Sequence, residues 1–253
     1  MKKTITYCSC LVLATTSLSL AGSSQPLTPP PLSIENTNDG WYYRAAIYLW
    51  AQSLDGDIGV RNNIADINVP FSDLVDNLEV GFMGSLEIGK DRWSLLLDLN
   101  YADISGDHRT PRSSISLEQK QLITNLVLGY EVYQSNSSTL SLYGGMRSNW
   151  LDVSVDFNDH HIDQDKSWVD PIIGLRYNHL FNEDFYLRAA GDIGGFGISS
   201  DLTWQAMLGL GWQINPCTGA VIGYRAIYTD YHDDGFTYDV TAHGPVIGIE
   251  YKF

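Results

Sequence analysis

The chain has 253 residues and a formal net charge of −15, with 15 Lys and Arg against 30 Asp and Glu. That balance excludes nucleic acid as a partner, because a phosphate backbone is held by clustered Lys and Arg. Three cysteines exclude a disulfide framework, and no Cys/His spacing forms a zinc site, so no cofactor is expected.

The N-terminus reads as a secretory signal. Lys2 and Lys3 form a basic start, residues 10 to 21 are mostly apolar, and Ser19-Leu20-Ala21 carries small residues where a signal peptidase cuts. Cleavage is expected after Ala21, giving a signal peptide at 1–21. The apolar stretch is too short to span a membrane as a helix. Cys8 and Cys10 leave with the signal, so Cys217 remains alone. Residues 22–39, with Pro26, Pro29, Pro30 and Pro31, predict a periplasmic linker without a core.

From residue 40 onward the chain alternates with period two. Trp93, Leu95, Leu97, Leu99 and Tyr101 form one face, opposite Ser94, Asp98 and Asn100. Trp204, Ala206, Leu208, Leu210 and Trp212 do the same opposite Thr203, Gln205 and Gly211. A soluble sandwich also alternates. An aromatic at both ends of an apolar face instead suits two membrane interfaces. The expected fold is therefore all-β, a transmembrane antiparallel barrel at 40–253 of about ten strands, with eight or twelve as alternatives. The ten predicted strands are 41–50, 78–90, 93–105, 119–133, 138–155, 167–180, 184–198, 201–214, 218–232 and 236–253. Short turns alternate with longer connections at 51–77, 106–118 and 156–166, which become the outer loops. Segment 51–77 is expected to lie outside the membrane or enter the lumen, because one extra strand at Ile58 to Val69 would reverse the chain's exit. A helical turn capped by Ser72 is expected within Phe71 to Leu78.

The last strand places Ile247, Ile249, Tyr251 and Phe253 on one face and Gly248, Glu250 and Lys252 on the other. It resembles the C-terminal assembly signal of bacterial outer-membrane proteins, with a terminal aromatic, another two residues earlier and Gly248 five before the end. Val246 departs from it, standing where a polar residue is usual. The runs Tyr48-Leu49-Trp50-Ala51, Leu54-Asp55-Gly56-Asp57-Ile58-Gly59-Val60 and Val69-Pro70-Phe71-Ser72-Asp73-Leu74-Val75-Asp76-Asn77-Leu78 resemble a family of functionally uncharacterised proteobacterial outer-membrane β-barrels. Gly81-Phe82-Met83-Gly84, Trp93 to Asp98, Gly223-Tyr224-Arg225 and Asp234 to Asp239 fit the same resemblance. It implies a barrel in the outer membrane of a Gram-negative cell and carries no catalytic residues.

Alternation turns Arg44, Arg147, Arg176, Arg188 and Arg225 inward. It also turns Glu79, Glu87, Asp98, Glu131, Asp170, Asp192 and Glu250 inward. In a narrow lumen these pair, and Arg suits buried carboxylates because its planar fork meets two oxygens. Register is not set by the sequence, but adjacent predicted strands narrow the choice by placing Arg147 next to Glu131. The expected function is a structural barrel or a porin-like, narrow small-solute channel with a charged, largely closed lumen. Two acidic and histidine-bearing connections form a second candidate site. Asp159, His160, His161 and Asp163 lie in one, and His232 and Asp233 in the other. Such groups bind divalent cations or serve adhesion. They also activate water, as the Asp and His groups of the omptin surface proteases do, although no omptin motif occurs in the chain. The chain is expected not to be an enzyme. Its expected partners are outer-membrane lipid, lipopolysaccharide and, through the last strand, the barrel-assembly machinery, with the protein a monomer.

Overall fold

The computed structural model describes residues 40–60, 63–72, 78–110, 113–157 and 160–253. The expected signal peptide and linker lie outside the described residues. The described strands are β1 (Trp41–Trp50), β2 (Ser53–Val60), β3 (Asn63–Val69), β4 (Leu78–Lys90), β5 (Trp93–Thr110) and β6 (Ser113–Gln134). Then come β7 (Ser138–Phe157), β8 (His160–Leu180), β9 (Phe185–Gly195), β10 (Leu202–Gln213), β11 (Thr218–Asp233) and β12 (Phe236–Lys252). From β4 to β12 each strand pairs antiparallel with the next, and β1 closes the ring between β12 and β4. The result is a closed ten-stranded barrel with two further strands, β2 and β3, beyond the ring.

Arg44 opposes Lys252, so the chain enters and leaves the barrel at one end, called here the terminal end. The other end is the distal end. At the terminal end the turns are tight, and Asp91 adopts positive φ between β4 and β5. At the distal end Asp234-Gly235, both at positive φ, join β11 to β12 in the two-residue turn such dipeptides favour.

Period-two alternation sorts side chains into two environments. Ile47, Leu49, Leu86, Ile173, Leu208, Ile222 and Ile247 all point outward and are more than half exposed. A soluble monomer rarely shows a continuous apolar patch beyond a few hundred Å², whereas lipid requires one. Trp93, Phe185 and Trp212 edge the band toward the terminal end, and Trp150 toward the distal end. Among the described residues no helix is long and apolar enough to cross a membrane; strands carry the apolar face.

Three expectations are corrected. The predicted outer loops at 106–118 and 156–166 are largely strand, because β5 and β6 pair out to Thr110↔Ser113 and β7 and β8 to Phe157↔His160. Segment 51–77, expected as a connection outside the membrane or entering the lumen, holds two strands, β2 and β3, which lie beyond the ring and preserve the chain direction. β2 continues the line of β1 along β12: Trp50 opposes Val246, and Ser53 opposes His243. The changeover falls beside Pro245, which has no N–H for the ladder and instead accepts at its carbonyl from Ala51. The helical turn is already under way at Phe71, whose N–H donates to Ser53 Oγ, so Ser72 is not its cap.

Candidate functional site in the barrel interior

The inward faces stack into three layers. The layer nearest the terminal end holds Arg44 on β1, Glu87 on β4, Arg176 on β8, Arg188 on β9 and Glu250 on β12. Glu87 accepts from Arg176 Nη1 at 2.7 Å and lies 3.3 Å from Arg44 Nη1. β4 and β8 are not neighbours, so this pair crosses the lumen. Arg188 grips Glu250 with both terminal nitrogens, at 2.7 and 3.3 Å, and Tyr186 donates to the same carboxylate at 2.5 Å. Gly211 makes room for that tyrosine: a Cβ there would fall 2.0 Å from the Tyr186 ring.

The middle layer is a ring of hydrogen bonds. Arg225 Nη2 donates to Asp98 Oδ2 at 2.9 Å and to Gln205 Oε1 at 2.6 Å. Gln205 Nε2 donates to Asp192 Oδ2 at 3.3 Å. Asp192 Oδ1 accepts from Arg147 Nη2 at 2.7 Å. Arg147 Nε donates to Asn125 Oδ1 at 2.8 Å, and Asn125 Nδ2 returns to Asp98 at 3.1 Å. Six side chains from β5, β6, β7, β9, β10 and β11 thus close a circuit across the lumen. Tyr48 joins it by donating to Asp98 and accepting from Arg225, while Tyr143 donates to Asp192 and Thr203 accepts from Arg147. Arg147 and Asp170 are fully buried. Charge this deep is tolerable only when every partner is present. A cavity of about 160 Å³ lies within these layers, bordered by both networks and by an apolar patch of Leu96, Val127, Tyr143 and Ile172.

The distal layer is apolar. Trp50, Leu54, Leu151, Trp168, Ile227, Tyr231, Phe236, Tyr238 and Val240 form one buried cluster. Trp168 stacks on Tyr231 with ring centroids 4.2 Å apart. Trp50 lies over the Arg225 guanidinium at 4.9 Å, which ties the aromatic layer to the ring beneath.

Of the inward candidates, Arg44, Glu87, Asp98, Arg147, Arg176, Arg188, Asp192, Arg225 and Glu250 all join these networks. Asp170 instead accepts from the Ser200 N–H at 2.8 Å and from its hydroxyl at 2.7 Å, holding the β9–β10 turn. The Glu79 side chain lies outside the described residues. Glu131 is not the partner of Arg147. The β6–β7 register sets Arg147 opposite Asn125, six residues away from Glu131, roughly 20 Å along the strand. Glu131 sits at the terminal end, where its N–H donates to the Arg92 carbonyl. Asn125, Gln205, Tyr48 and Tyr143 were not among the candidates. Their only sequence signal is a polar side chain on an inward-facing position.

The rim candidates separate. Asp159, together with the side chains of His160, His161 and Asp163, lies outside the described residues. Alternation puts His232 and Asp233 on opposite faces of β11. His232 Nδ1 is 3.1 Å from Asp230 Oδ1 and 3.6 Å from Asp201 Oδ2, while Asp233 accepts from Lys166 Nζ at 2.8 Å. Asp230 opens the same acidic run as His232 in the sequence, whereas sequence reasoning missed Asp201. On the outward wall His243 lies between Tyr224 OH at 2.5 Å and Asp55 at 2.7 Å, which ties β12 to β2 and β11.

No protein-family model and no curated protein matches this chain. Among solved structures it is similar to the outer membrane protease OmpT from Escherichia coli, at 10% identity and a TM-score of 0.55 over 87% of this chain and 99% of that one. It also matches the transport unit of the autotransporter AIDA-I from Escherichia coli, at 13% identity and a TM-score of 0.45 over 88% and 94%. The attachment invasion locus protein Ail of Yersinia pestis matches at 10% identity and a TM-score of 0.39 over 85% and 99%. At such identities the likeness to OmpT shows the fold alone: that of an outer-membrane β-barrel.

Proposed function

We propose that this chain is an integral outer-membrane barrel, with its terminal end in the periplasm and its distal end outside, whose lumen is closed at rest. It serves as a structural barrel rather than an open solute channel. The observation that carries this reading is the ring through Asp98, Arg225, Gln205, Asp192, Arg147 and Asn125, which crosses the lumen beneath a packed aromatic layer. A water-filled pore needs a polar lining open from end to end; here the polar groups bind one another and the mouth is apolar. Lipid and lipopolysaccharide are the partners of the outer face. The C-terminal strand engages the assembly machinery, and the barrel works as a monomer. No catalytic role is assigned to the rim.

The test is conductance of the refolded protein in a planar bilayer. The expected record shows no discrete ion-conducting steps. Stable steps of fixed size from wild-type protein would refute the closed lumen.

A further inference from the structure

The barrel wall has a notch at its outer end. The β8–β9 ladder stops at Ile172↔Gly194, beside Pro171, which has no N–H to extend it. β8 continues to His160, but the β9–β10 hairpin turns back low, through Gly195, Phe196 and Gly197, all at positive φ. β11 rises past that turn to Asp233. Above the turn, side chains rather than backbone join β8 to β11. Trp168 stacks on Tyr231, and Lys166 reaches Asp233. At the base Ser199 Oγ donates to the Val169 carbonyl at 2.8 Å. Phe196 and Ile198 on the turn and Val169 beside it are exposed and apolar. The base of the notch therefore sits at the edge of the apolar band.

Behind the notch are donors without acceptors. Among the described residues Trp50 Nε1, Trp168 Nε1 and Asn149 Nδ2 are buried and make no hydrogen bond. Asn149 stands directly opposite Trp168 in the β7–β8 register, and both tryptophans belong to the aromatic cluster. Native interiors leave few polar groups unpaired, because each one costs its desolvation. Three orphaned donors in one layer, with the Arg225 guanidinium against Trp50, call for a hydrogen-bond acceptor, best an anionic one. Apolar surface adjoins them at the notch, where Phe196, Ile198 and Val169 are exposed.

We propose that the outer half of the lumen binds a single-chain anionic amphiphile of the fatty-acid class, drawn from the outer leaflet through the notch between β8 and β11. The carboxylate takes the Trp50, Trp168 and Asn149 donors, and the chain stays in the notch along Phe196, Ile198 and Val169. Trp168 and Tyr231 are the gate, since their stack spans the notch. The proposal rests on the membrane placement given above and adds a ligand to it.

The test uses cis-parinaric acid, a fluorescent fatty acid, with the full-length barrel in phosphatidylcholine nanodiscs and empty nanodiscs as reference. Wild-type protein is expected to give saturable binding of one probe per barrel. Trp168→Phe with Asn149→Leu removes two donors and keeps the packing. It is expected to weaken binding about tenfold while the unfolding midpoint stays level or rises, because orphaned groups have gone. Tyr231→Ala, which removes the gate and no donor, is expected to speed uptake severalfold. No saturable signal above empty nanodiscs, or equal affinity in the double variant, overturns the site. An unchanged uptake rate in Tyr231→Ala overturns entry through the notch. Conducting steps in the bilayer with parinarate binding intact would remove the closed-lumen reading alone, so the two failures are distinguishable.

Discussion

Arg147 and Trp168 lie on neighbouring strands of one wall, Arg147 opposite Asp170 and Trp168 opposite Asn149, a single inward-facing step apart. Both are buried. Arg147 donates from Nε, Nη1 and Nη2 to three different side chains, whereas the Trp168 indole N–H donates to none. The contrast extends to the layers they belong to. The middle of the lumen is braced by a closed polar circuit. Two ladders break at its upper edge, at Pro171 beside Asp170 and at Pro245 opposite Tyr224, and the mouth above is closed by aromatic packing. A full polar network fixes one geometry, because each member is costly to leave unpaired. An aromatic layer is held by less directional forces and can part without stranding a charge. Rigidity is thus placed at mid-barrel and adaptability at the mouth.

The largest effect is expected at Arg147. Arg147→Ala takes the guanidinium from Asp192 in a fully buried place, leaving that carboxylate only the neutral donors of Tyr143 and Gln205, and removes donors from Asn125 and Thr203. Breaking a buried pair from one side costs about 3–5 kcal/mol. Urea unfolding in detergent should show that loss, and Arg147→Ala/Asp192→Ala should recover part of it. A midpoint equal to wild type would mean the middle layer is no more constrained than the mouth.

Arg225→Ala comes next. It cuts the circuit at Asp98 and Gln205 and removes the support under Trp50, but Tyr48 and Asn125 still donate to Asp98. A loss of about 2–3 kcal/mol is expected, in the range for hydrogen bonds to charged groups. Because the side chain borders the cavity and links two layers, brief conducting events should also appear in the planar bilayer. A silent bilayer record would show that the aromatic mouth seals the barrel unaided.

How far the sequence could be read follows the same division. Inside the apolar band, alternation marked the ten barrel strands closely: 78–90 and 138–155 became Leu78–Lys90 and Ser138–Phe157. Beyond the band both faces turn polar, so β5, β6, β7 and β8 continue through segments that look like loops. β2 and β3 were obscured for the same reason, with Asp55, Asp57 and Asp66 interrupting any apolar face. In the lumen, direction was legible and partnership was not. Period two turns Arg147 inward, but its acid, Asp192, comes from two strands away, and no local pattern encodes which carboxylate closes a ring. Neutral amides such as Asn125 and Gln205 carry no charge to draw attention, yet they bridge the charged members of the circuit.

The smallest effect is expected at the rim, where His232 and Asp233 separate two ways of closing the mouth. His232→Ala removes a half-exposed side chain that stands beside Asp230 and Asp201 on the outward face. Exposed ion pairs contribute about 0–1 kcal/mol, so the unfolding midpoint should move by no more than about 0.5 kcal/mol. Asp233→Asn faces the other way. It weakens the Lys166 contact across the notch, but the Trp168–Tyr231 stack beneath remains. Stability should again change little, while the exchange rate of notch-flanking amides should become less sensitive to salt, since salt screens the ion pair and not the aromatic stack. Hydrogen exchange at low and high salt on wild type and Asp233→Asn reads this directly. Equal salt dependence in both proteins would show that the ion pair does not hold the notch, leaving its closure to the aromatic stack.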